Sequence, residues 1–251
     1  FQHIDMDENS NIIIPFLSEH FFYWIGFSFP TISVLIGWIL YYGLGHNVKN
    51  GEIPTISKSF IKFPENRLFA VCMSIESCIL GSIFYIRHKL ISKMAKRYSQ
   101  RKENSNSNHK TPVQLLNRIC DVLAFAICFG LVGLSAITFE DCYFIHLSFS
   151  VIFWWSFLSY FIISDIAALR VHFPIRFLSL ILPYFILFIV FSNVIIVIRC
   201  SPEESKKANN TMAIMQYIVA ILLFLKILFI GYDNPPHDLV SSSSKTKVKL
   251  T

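Results

Sequence analysis

Six long apolar runs constrain the fold of this chain more than any other feature of its sequence. Each run holds about 20 residues or more, enough to cross roughly 30 Å of hydrocarbon as a helix. The runs are apolar on all faces, whereas a surface helix of a soluble protein has one polar face. The sequence therefore predicts an all-α membrane protein, a bundle of six transmembrane helices over residues 21–44, 67–86, 115–139, 144–163, 175–198 and 211–232.

The composition agrees with this prediction and excludes an ordinary soluble enzyme. The chain has 251 residues, of which 54% are apolar and 15% charged, and its mean hydropathy is +0.53. Soluble domains average about 45–50% apolar and about 25% charged residues. The spans leave only short loops, so we expect a cytosolic segment over residues 1–20, one transmembrane domain over residues 21–232 and a disordered cytosolic tail over residues 233–251. No basic n-region precedes the first run, and we expect no cleavable signal peptide.

The distribution of Lys and Arg predicts the orientation. Six spans place both termini and the loops after the second and fourth spans on one side, which carries 13 Lys and Arg side chains against 7 on the other. The positive-inside rule then places both termini in the cytosol. The net charge of +6 is a topology signal under this interpretation, and no nucleic-acid partner is expected. The basic loop 87–112 either sets topology alone or also attracts anionic lipid headgroups.

Two features of the predicted luminal side concern covalent chemistry. Cys142 and Cys200 lie outside the spans or at their edge, and a disulfide between them is chemically allowed in an oxidising lumen. The other four cysteines lie in spans and are expected to pack there. Asn209 begins an Asn-Asn-Thr glycosylation sequon that abuts the sixth span.

Four charged residues fall at membrane depth near the cytosolic side. Charges at such depth are costly and face the bundle interior or a wet cavity. Arg118 and Asp121 stand three residues apart on one helix and can pair. Together with Asp165 and Lys226 they predict a structural ion network in the cytosolic leaflet.

Glu76 lies near the middle of the second span, with no basic residue one helical turn away. It needs a partner from another helix or a proton, and the candidate partners are Gln216 and His146. If Glu76 is protonated and only hydrogen-bonded, Glu76→Gln should disturb function less than Glu76→Leu.

Motifs of soluble enzymes and metal sites are absent from the sequence. It contains no GxSxG, HExxH, P-loop or GxGxxG pattern, and no Cys/His spacing typical of zinc. No cofactor and no metal are expected.

Three stretches of the sequence hold motif residues in a fixed order: Pro54, Ile56, Ser57 and Ser59 with Pro64 and Glu65; Glu140 and Asp141 with Ile145 and His146; and Ala213, Ile214, Gln216 and Tyr217. The first stretch resembles a luminal loop of the damage-regulated autophagy modulators (DRAM). The second is similar to the opening of the fourth helix, and the third to the start of the last helix, of post-GPI-attachment-to-proteins factor two. Together the three stretches resemble one known family of membrane proteins.

The resemblance implies a six-span family that unites the DRAM proteins, the GPI-remodelling factor and the N-terminal domain of a cell-wall GPI-lipid-exchange protein. Of these members, the sequence looks most similar to the GPI-remodelling factor, which acts in fatty-acid remodelling of GPI anchors in the Golgi. This chain departs from that factor at Gln216, where the family has Glu, and at Leu223 and Ile227, where Asn and His are expected. Glu76 stands about where the factor has a His, so a rearranged pair of Glu76 and Gln216 is expected.

Two functions follow as hypotheses. The first is a multi-pass factor of the Golgi or endoplasmic reticulum for lipid remodelling of GPI-anchored proteins, whose partners are membrane lipids, including GPI or lyso-GPI intermediates. Glu76, His146, Gln216 and Tyr217 form its candidate polar site, covered by the loop at residues 54–59. Acyl transfer needs a base, for which His146 is the candidate, but the sequence shows no clear nucleophile and leaves catalysis open. The alternative is a DRAM-like, non-enzymatic modulator of autophagy and lysosomal membranes.

Overall fold

The computed structural model describes residues 19–46, 52–103, 112–199 and 205–233. Within these ranges the chain forms seven helices and no strand. In chain order they are α1 Glu19–Gly43, α2 Ile56–Ser59, α3 Glu65–Glu103, α4 Pro112–Ala136, α5 Tyr143–Arg170, α6 Phe177–Arg199 and α7 Ser205–Asp233. Residues 1–18 and 234–251, which hold most of the two predicted terminal segments, lie outside the described part.

Five of these helices are long and apolar enough to cross a membrane. They are α1, α3, α4, α5 and α7, over His20–Gly43, Glu65–Tyr98, Val113–Ala136, Tyr143–Arg170 and Ala208–Asp233. Helix α6 contributes a shorter apolar stretch, Phe177–Ser192. The all-helical membrane bundle is therefore supported, while the sixth span and the cytosolic termini stay predictions.

Helix α3 is much longer than the predicted second span. It extends through most of the basic stretch and ends at Glu103, where the sequence had predicted a loop from residue 87. Lys, Arg, Met and Ala have high helix propensity. Extending an existing helix is easier than nucleating a new one, so a run rich in these residues continues the membrane-spanning part of α3. Helix α5 also continues past the predicted end of its span, to Arg170.

Successive long helices run antiparallel. Helix α4 packs between α3 and α5, α1 packs on α3 and α7, and α6 packs on α7. The His20 and Tyr232 rings are 5.8 Å apart, which places the start of α1 and the end of α7 at the same end of the bundle. We call this the basic end, because α3 ends there in its Lys- and Arg-rich turns. The opposite end is the cap end, where residues 52–60, the cap segment, cross the helices.

Aromatic and aliphatic side chains from all six long helices form the core. Leu80 and Ile83 of α3 are fully buried, together with Ile127, Phe157, Phe161 and Ile227. Gly130 lets α4 approach α5, because a Cβ there would lie 2.9 Å from the backbone nitrogen of Phe153. Close approach at a small residue is a common way to pack membrane helices.

The outer surface of the bundle is apolar. Phe125 of α4 is 72% exposed and Phe188 of α6 is 67% exposed. Contiguous apolar surface of this kind is rare on soluble monomers and needs a covering phase. A lipid bilayer supplies that phase for helices of this length.

Candidate functional site

A cavity of about 650 Å³ opens between α5, α6 and α7 beneath the cap segment. It exists because α5 packs closely on α4 but only sparsely on α6. Its walls are mainly apolar and hold Val151, Trp154 and Leu158 of α5, Ile186 and Val190 of α6, and Met215, Val219 and Leu223 of α7. The volume lies within the range of small-molecule sites, about 300–1,000 Å³.

Polar groups line the cap end of this cavity. They are Glu52, Thr55, Ser57 and Lys58 of the cap segment, His146 and Ser150 of α5, and Asn209 and Gln216 of α7. An apolar body with a polar mouth suits an amphipathic ligand, whose acyl part leaves water while its polar part is hydrogen-bonded.

Helix α7 anchors the cap segment through hydrogen bonds. The backbone N–H of Ile56 donates to Gln216 Oε1 at 3.1 Å, and that of Ile53 donates to Asn210 Oδ1 at 2.8 Å. The Tyr217 hydroxyl donates to the Pro54 carbonyl at 3.0 Å and lies 3.1 Å from Ser59 Oγ. The structure thus brings the predicted 54–59 loop to the predicted Gln216 and Tyr217.

Phe60 anchors the other end of the cap segment in the core. Its ring stacks on Phe69 of α3 with a centroid distance of 4.1 Å. A Cβ on Gly37 of α1 would overlap the Phe60 ring, so glycine is required there for the ring to fit. The cap segment is therefore held by an aromatic contact at one end and by polar contacts along its length.

His146 joins the cap segment to α5. Its Nε2 lies 3.0 Å from Ser57 Oγ, and its Nδ1 lies 2.7 Å from the carbonyl oxygen of Ile137. A carbonyl oxygen only accepts, so Nδ1 carries a proton and donates to Ile137. In the neutral ring Nε2 is then an acceptor, and the Ser57 hydroxyl donates to it.

The turn between α4 and α5 presents the Ile137 carbonyl. Thr138 N–H and its hydroxyl both donate to Asp141 Oδ2, at 3.0 and 2.7 Å. These hydrogen bonds hold the pKa of the Asp141 carboxyl below its usual range. The acidic pair of the sequence motif thus has a structural role at Asp141, since it closes the turn that orients His146.

Glu65 has a partner that the sequence did not predict. It is fully buried at the start of α3, and its Oε1 lies 2.7 Å from His46 Nδ1. The preceding Pro64 follows a cis peptide bond with Phe63. No spacing rule links two residues 19 positions apart, so only the fold could reveal this contact.

Glu76 is not part of the cavity, which corrects the expected pairing with Gln216. Its carboxyl is fully buried, and among the described residues neither oxygen has a hydrogen-bond partner. Glu76 lies 11 residues along α3 from Glu65, about 16 Å at 1.5 Å per residue. Helix α3 packs on α1 and α4, whereas α5, α6 and α7 wall the cavity. Gln216 instead accepts from the cap segment.

The predicted ion network forms with different members. Lys226 Nζ donates to Asp165 Oδ2 at 2.7 Å and to the Ser179 carbonyl and hydroxyl at 2.7 and 2.8 Å. Arg87, also fully buried, lies 3.8 Å from Asp165 through Nη2. Arg118 is exposed on α4 and makes no ion pair within the described ranges.

The predicted pairing of Arg118 with Asp121 is likewise corrected. Asp121 Oδ1 lies 2.7 Å from His88 Nδ1 of α3. The i, i+3 spacing places Arg118 and Asp121 on the same face of α4, so they could pair. Because α3 extends beyond the predicted span, its His88 lies within contact distance of Asp121 instead.

The cysteine and sequon predictions stand untested. Cys142 is a free thiol among the described cysteines, and Cys200 lies outside the described residues. Asn209 lies within α7 and lines the cavity. A glycan on Asn209 would therefore compete with a ligand for the mouth of the cavity.

These features define a class: a multi-pass helical membrane protein with an apolar cavity closed at one end by a short hydrogen-bonded segment. The sequence model of the Frag1/DRAM/Sfk1/Cwh43P N-terminal domain family matches residues 19–236, and the chain belongs to that family. The resemblance predicted from three motifs is confirmed at this level. Comparison with curated proteins and with solved structures gives no match.

Proposed function

We propose that this protein handles lipid intermediates in the maturation of GPI-anchored proteins, in the membrane of the Golgi or endoplasmic reticulum. The observation that carries the proposal is the cavity of about 650 Å³, whose apolar walls lead to a polar mouth at the cap segment. A GPI lipid or lyso-GPI intermediate has the matching division into acyl chains and a polar head. Membership of a family that includes Cwh43P-type domains supports the same proposal.

The proposed orientation places the cap end in the lumen. The Lys- and Arg-rich turns of α3 then lie in the cytosol, as the positive-inside rule requires. The polar mouth faces the leaflet in which GPI-anchored proteins reside, so a lipid can enter sideways between α5 and α6 without crossing the bilayer.

Deleting the gene tests the proposal. We expect altered lipid composition of GPI anchors by mass spectrometry and a changed surface level of GPI-anchored proteins by flow cytometry. Unchanged levels together with unchanged GPI lipids would refute it. A tagged protein on lysosomes with altered autophagic flux would instead support the DRAM-like alternative.

A matched pair of variants connects the cavity to that function. Val151→Trp places an indole in the cavity, and Val71→Trp places one on the exposed surface of α3. Both valines are largely exposed in the bundle, at 49% and 60%, so both variants should fold. We expect only the Val71→Trp chain to restore GPI lipids in deleted cells. Equal restoration by both variants would show that the cavity is not the lipid site.

A further inference from the structure

We propose that Ser57 and His146 form a nucleophile–base pair that carries an acyl group between lipids, a step that rests on the proposed lipid-handling function. The geometry of a reactive pair is a nucleophile within hydrogen-bond reach of a base that a third group orients. Ser57 Oγ lies 3.0 Å from His146 Nε2, and the Ile137 carbonyl lies 2.7 Å from Nδ1.

The protonation state of the His146 ring suits a general base. The carbonyl of Ile137 compels Nδ1 to carry the ring proton, which leaves the Nε2 lone pair directed at the Ser57 hydroxyl. A general base needs that lone pair within about 2.6–3.2 Å of the proton it removes. His146 itself is 94% buried, with an exposed fraction of 6%, so its ring is held by packing as well as by hydrogen bonds.

Ser57 is the serine that meets both the base and the cavity. Ser59, two residues along the cap segment, is buried against Tyr217 and the Thr55 carbonyl. Ser150 lines the cavity, but its hydroxyl donates to the His146 carbonyl in its own helix. Ser57 is half-buried and lines the polar mouth, where the ester of a lipid lies if its acyl chain fills the apolar walls.

The reaction is a transacylation from a glycerolipid ester to a lysolipid hydroxyl. Ser57 Oγ attacks the ester carbonyl carbon as its proton passes to His146 Nε2. The tetrahedral intermediate expels the glycerol oxygen, which takes that proton and leaves as an alcohol, and an acyl-Ser57 ester is formed. The lysolipid hydroxyl then attacks this ester, gives its proton to Nε2, and His146 returns the proton to Ser57 Oγ as the new lipid ester departs.

Neighbouring groups stabilise the oxyanion, position Ser57 and exclude water. The side chains of Lys58 and Asn209 line the same mouth and carry N–H donors, which can stabilise an oxyanion. Gln216 is a positioning residue, since its bond to the Ile56 N–H holds the backbone next to Ser57. The apolar walls exclude water, which limits hydrolysis of the acyl-serine.

Covalent labelling of the purified full chain in lipid nanodiscs tests the pair. The probe is a long-chain alkyl fluorophosphonate, and peptide mass spectrometry locates the adduct. We expect labelling at Ser57, none in Ser57→Ala, and a rate about 100-fold lower in His146→Asn. Ser148→Ala is the matched control, because Ser148 is exposed on α5 and bonds to the Phe144 carbonyl.

Ser57→Cys guards against a purely structural effect of removing the hydroxyl. Incubated with a radiolabelled diacylglycerolipid, it should retain an acyl thioester that neutral hydroxylamine releases, and Ser57→Ala should retain none. Absence of an adduct on Ser57 in the parent chain, or labelling that His146→Asn leaves unchanged, overturns the proposal. Thermal unfolding of each variant identifies any that fails to fold.

Complementation separates this inference from the proposed function. If the parent chain restores GPI lipids in deleted cells and Ser57→Ala does so equally, the lipid-handling function stands and the catalytic pair is wrong. If deletion leaves GPI lipids unchanged while Ser57 labels with His146 dependence, the pair stands and acts on another glycerolipid.

Discussion

The two ends of the bundle hold polar groups in opposite ways. At the cap end, neutral hydrogen bonds of 3.0–3.1 Å join His146, Gln216 and Tyr217 to the cap segment, beside a cavity of about 650 Å³. Towards the basic end, Lys226 and Arg87 are fully buried around Asp165, and Lys226 has three partners at 2.7–2.8 Å.

One small bundle thereby combines a rigid charged cluster with an accessible cap end. Breaking a neutral hydrogen bond costs about 1 kcal/mol net, so the cap segment can exchange partners with a ligand. Removing one partner of a buried ion pair costs about 3–5 kcal/mol, so the charged cluster fastens α3, α5, α6 and α7 together. The proposed chemistry lies at the end whose contacts cost less free energy to rearrange.

The largest expected effect comes from breaking the charged cluster. Asp165→Leu should lower the free energy of unfolding by about 3–5 kcal/mol, because it leaves the fully buried Lys226 without its carboxylate. Unfolding in detergent micelles, followed by circular dichroism, measures the loss. The double variant Asp165→Leu with Lys226→Met is the control and should regain part of it. A loss below about 1 kcal/mol in the single variant would contradict the contrast between the two ends.

A smaller and local effect is expected at the cap end. Gln216→Leu removes the acceptor of the Ile56 N–H and should favour opening of the cap segment by about 1 kcal/mol. Hydrogen–deuterium exchange of residues 52–60 measures the opening. Gln216→Glu is the control, since a carboxylate oxygen also accepts from that N–H and exchange should stay near that of the parent. Faster exchange throughout the bundle in Gln216→Leu would show that the cap end is as rigidly coupled as the basic end.

Within the described part of the chain, the buried carboxyl of Glu76 has no hydrogen-bond partner, whereas that of Asp165 accepts from Lys226. Glu76→Leu should leave the free energy of unfolding unchanged or raise it, because no hydrogen bond is lost and an apolar side chain of similar size replaces a carboxyl. The same unfolding measurement in micelles tests this, with Asp165→Leu as the contrasting variant. A loss above about 1 kcal/mol would reveal a partner for Glu76 in the folded bundle.

The smallest effect concerns the turn that orients His146. Hydrogen bonds from Thr138 lower the pKa of Asp141 from its ordinary value of 3.8, so the ionised carboxylate stabilises the turn. That stability is complete above about pH 4 and is lost as the pH falls through the lowered pKa. Exchange of residues 137–142 should therefore rise in acid for the parent, while Asp141→Asn should show no such rise. Parallel pH profiles for the two chains would contradict this role.

The sequence predicted the residues of the site more accurately than the contacts between them. The 54–59 loop, His146, Gln216 and Tyr217 were all singled out by motif, and the structure brings them together. The predicted pairing of Glu76 with Gln216 was wrong. The depth of a residue in the membrane can be estimated from its position along a span, but the sequence does not show which helix that residue faces. Ser57 was singled out only as part of a loop motif, and its place beside a base 89 residues away has no signal in the sequence.

The helical membrane class, the approximate positions of the apolar helices and the family could all be predicted from the amino-acid sequence alone. These follow from hydrophobic length and local motifs, which act over one span at a time. The packing of the helices established that Arg87, not Arg118, joins Asp165 and Lys226, that Asp121 meets His88, and that Ser57 and His146 line one cavity of about 650 Å³. Such contacts depend on the rotation and register of packed helices, which side-chain packing sets across elements distant in the chain.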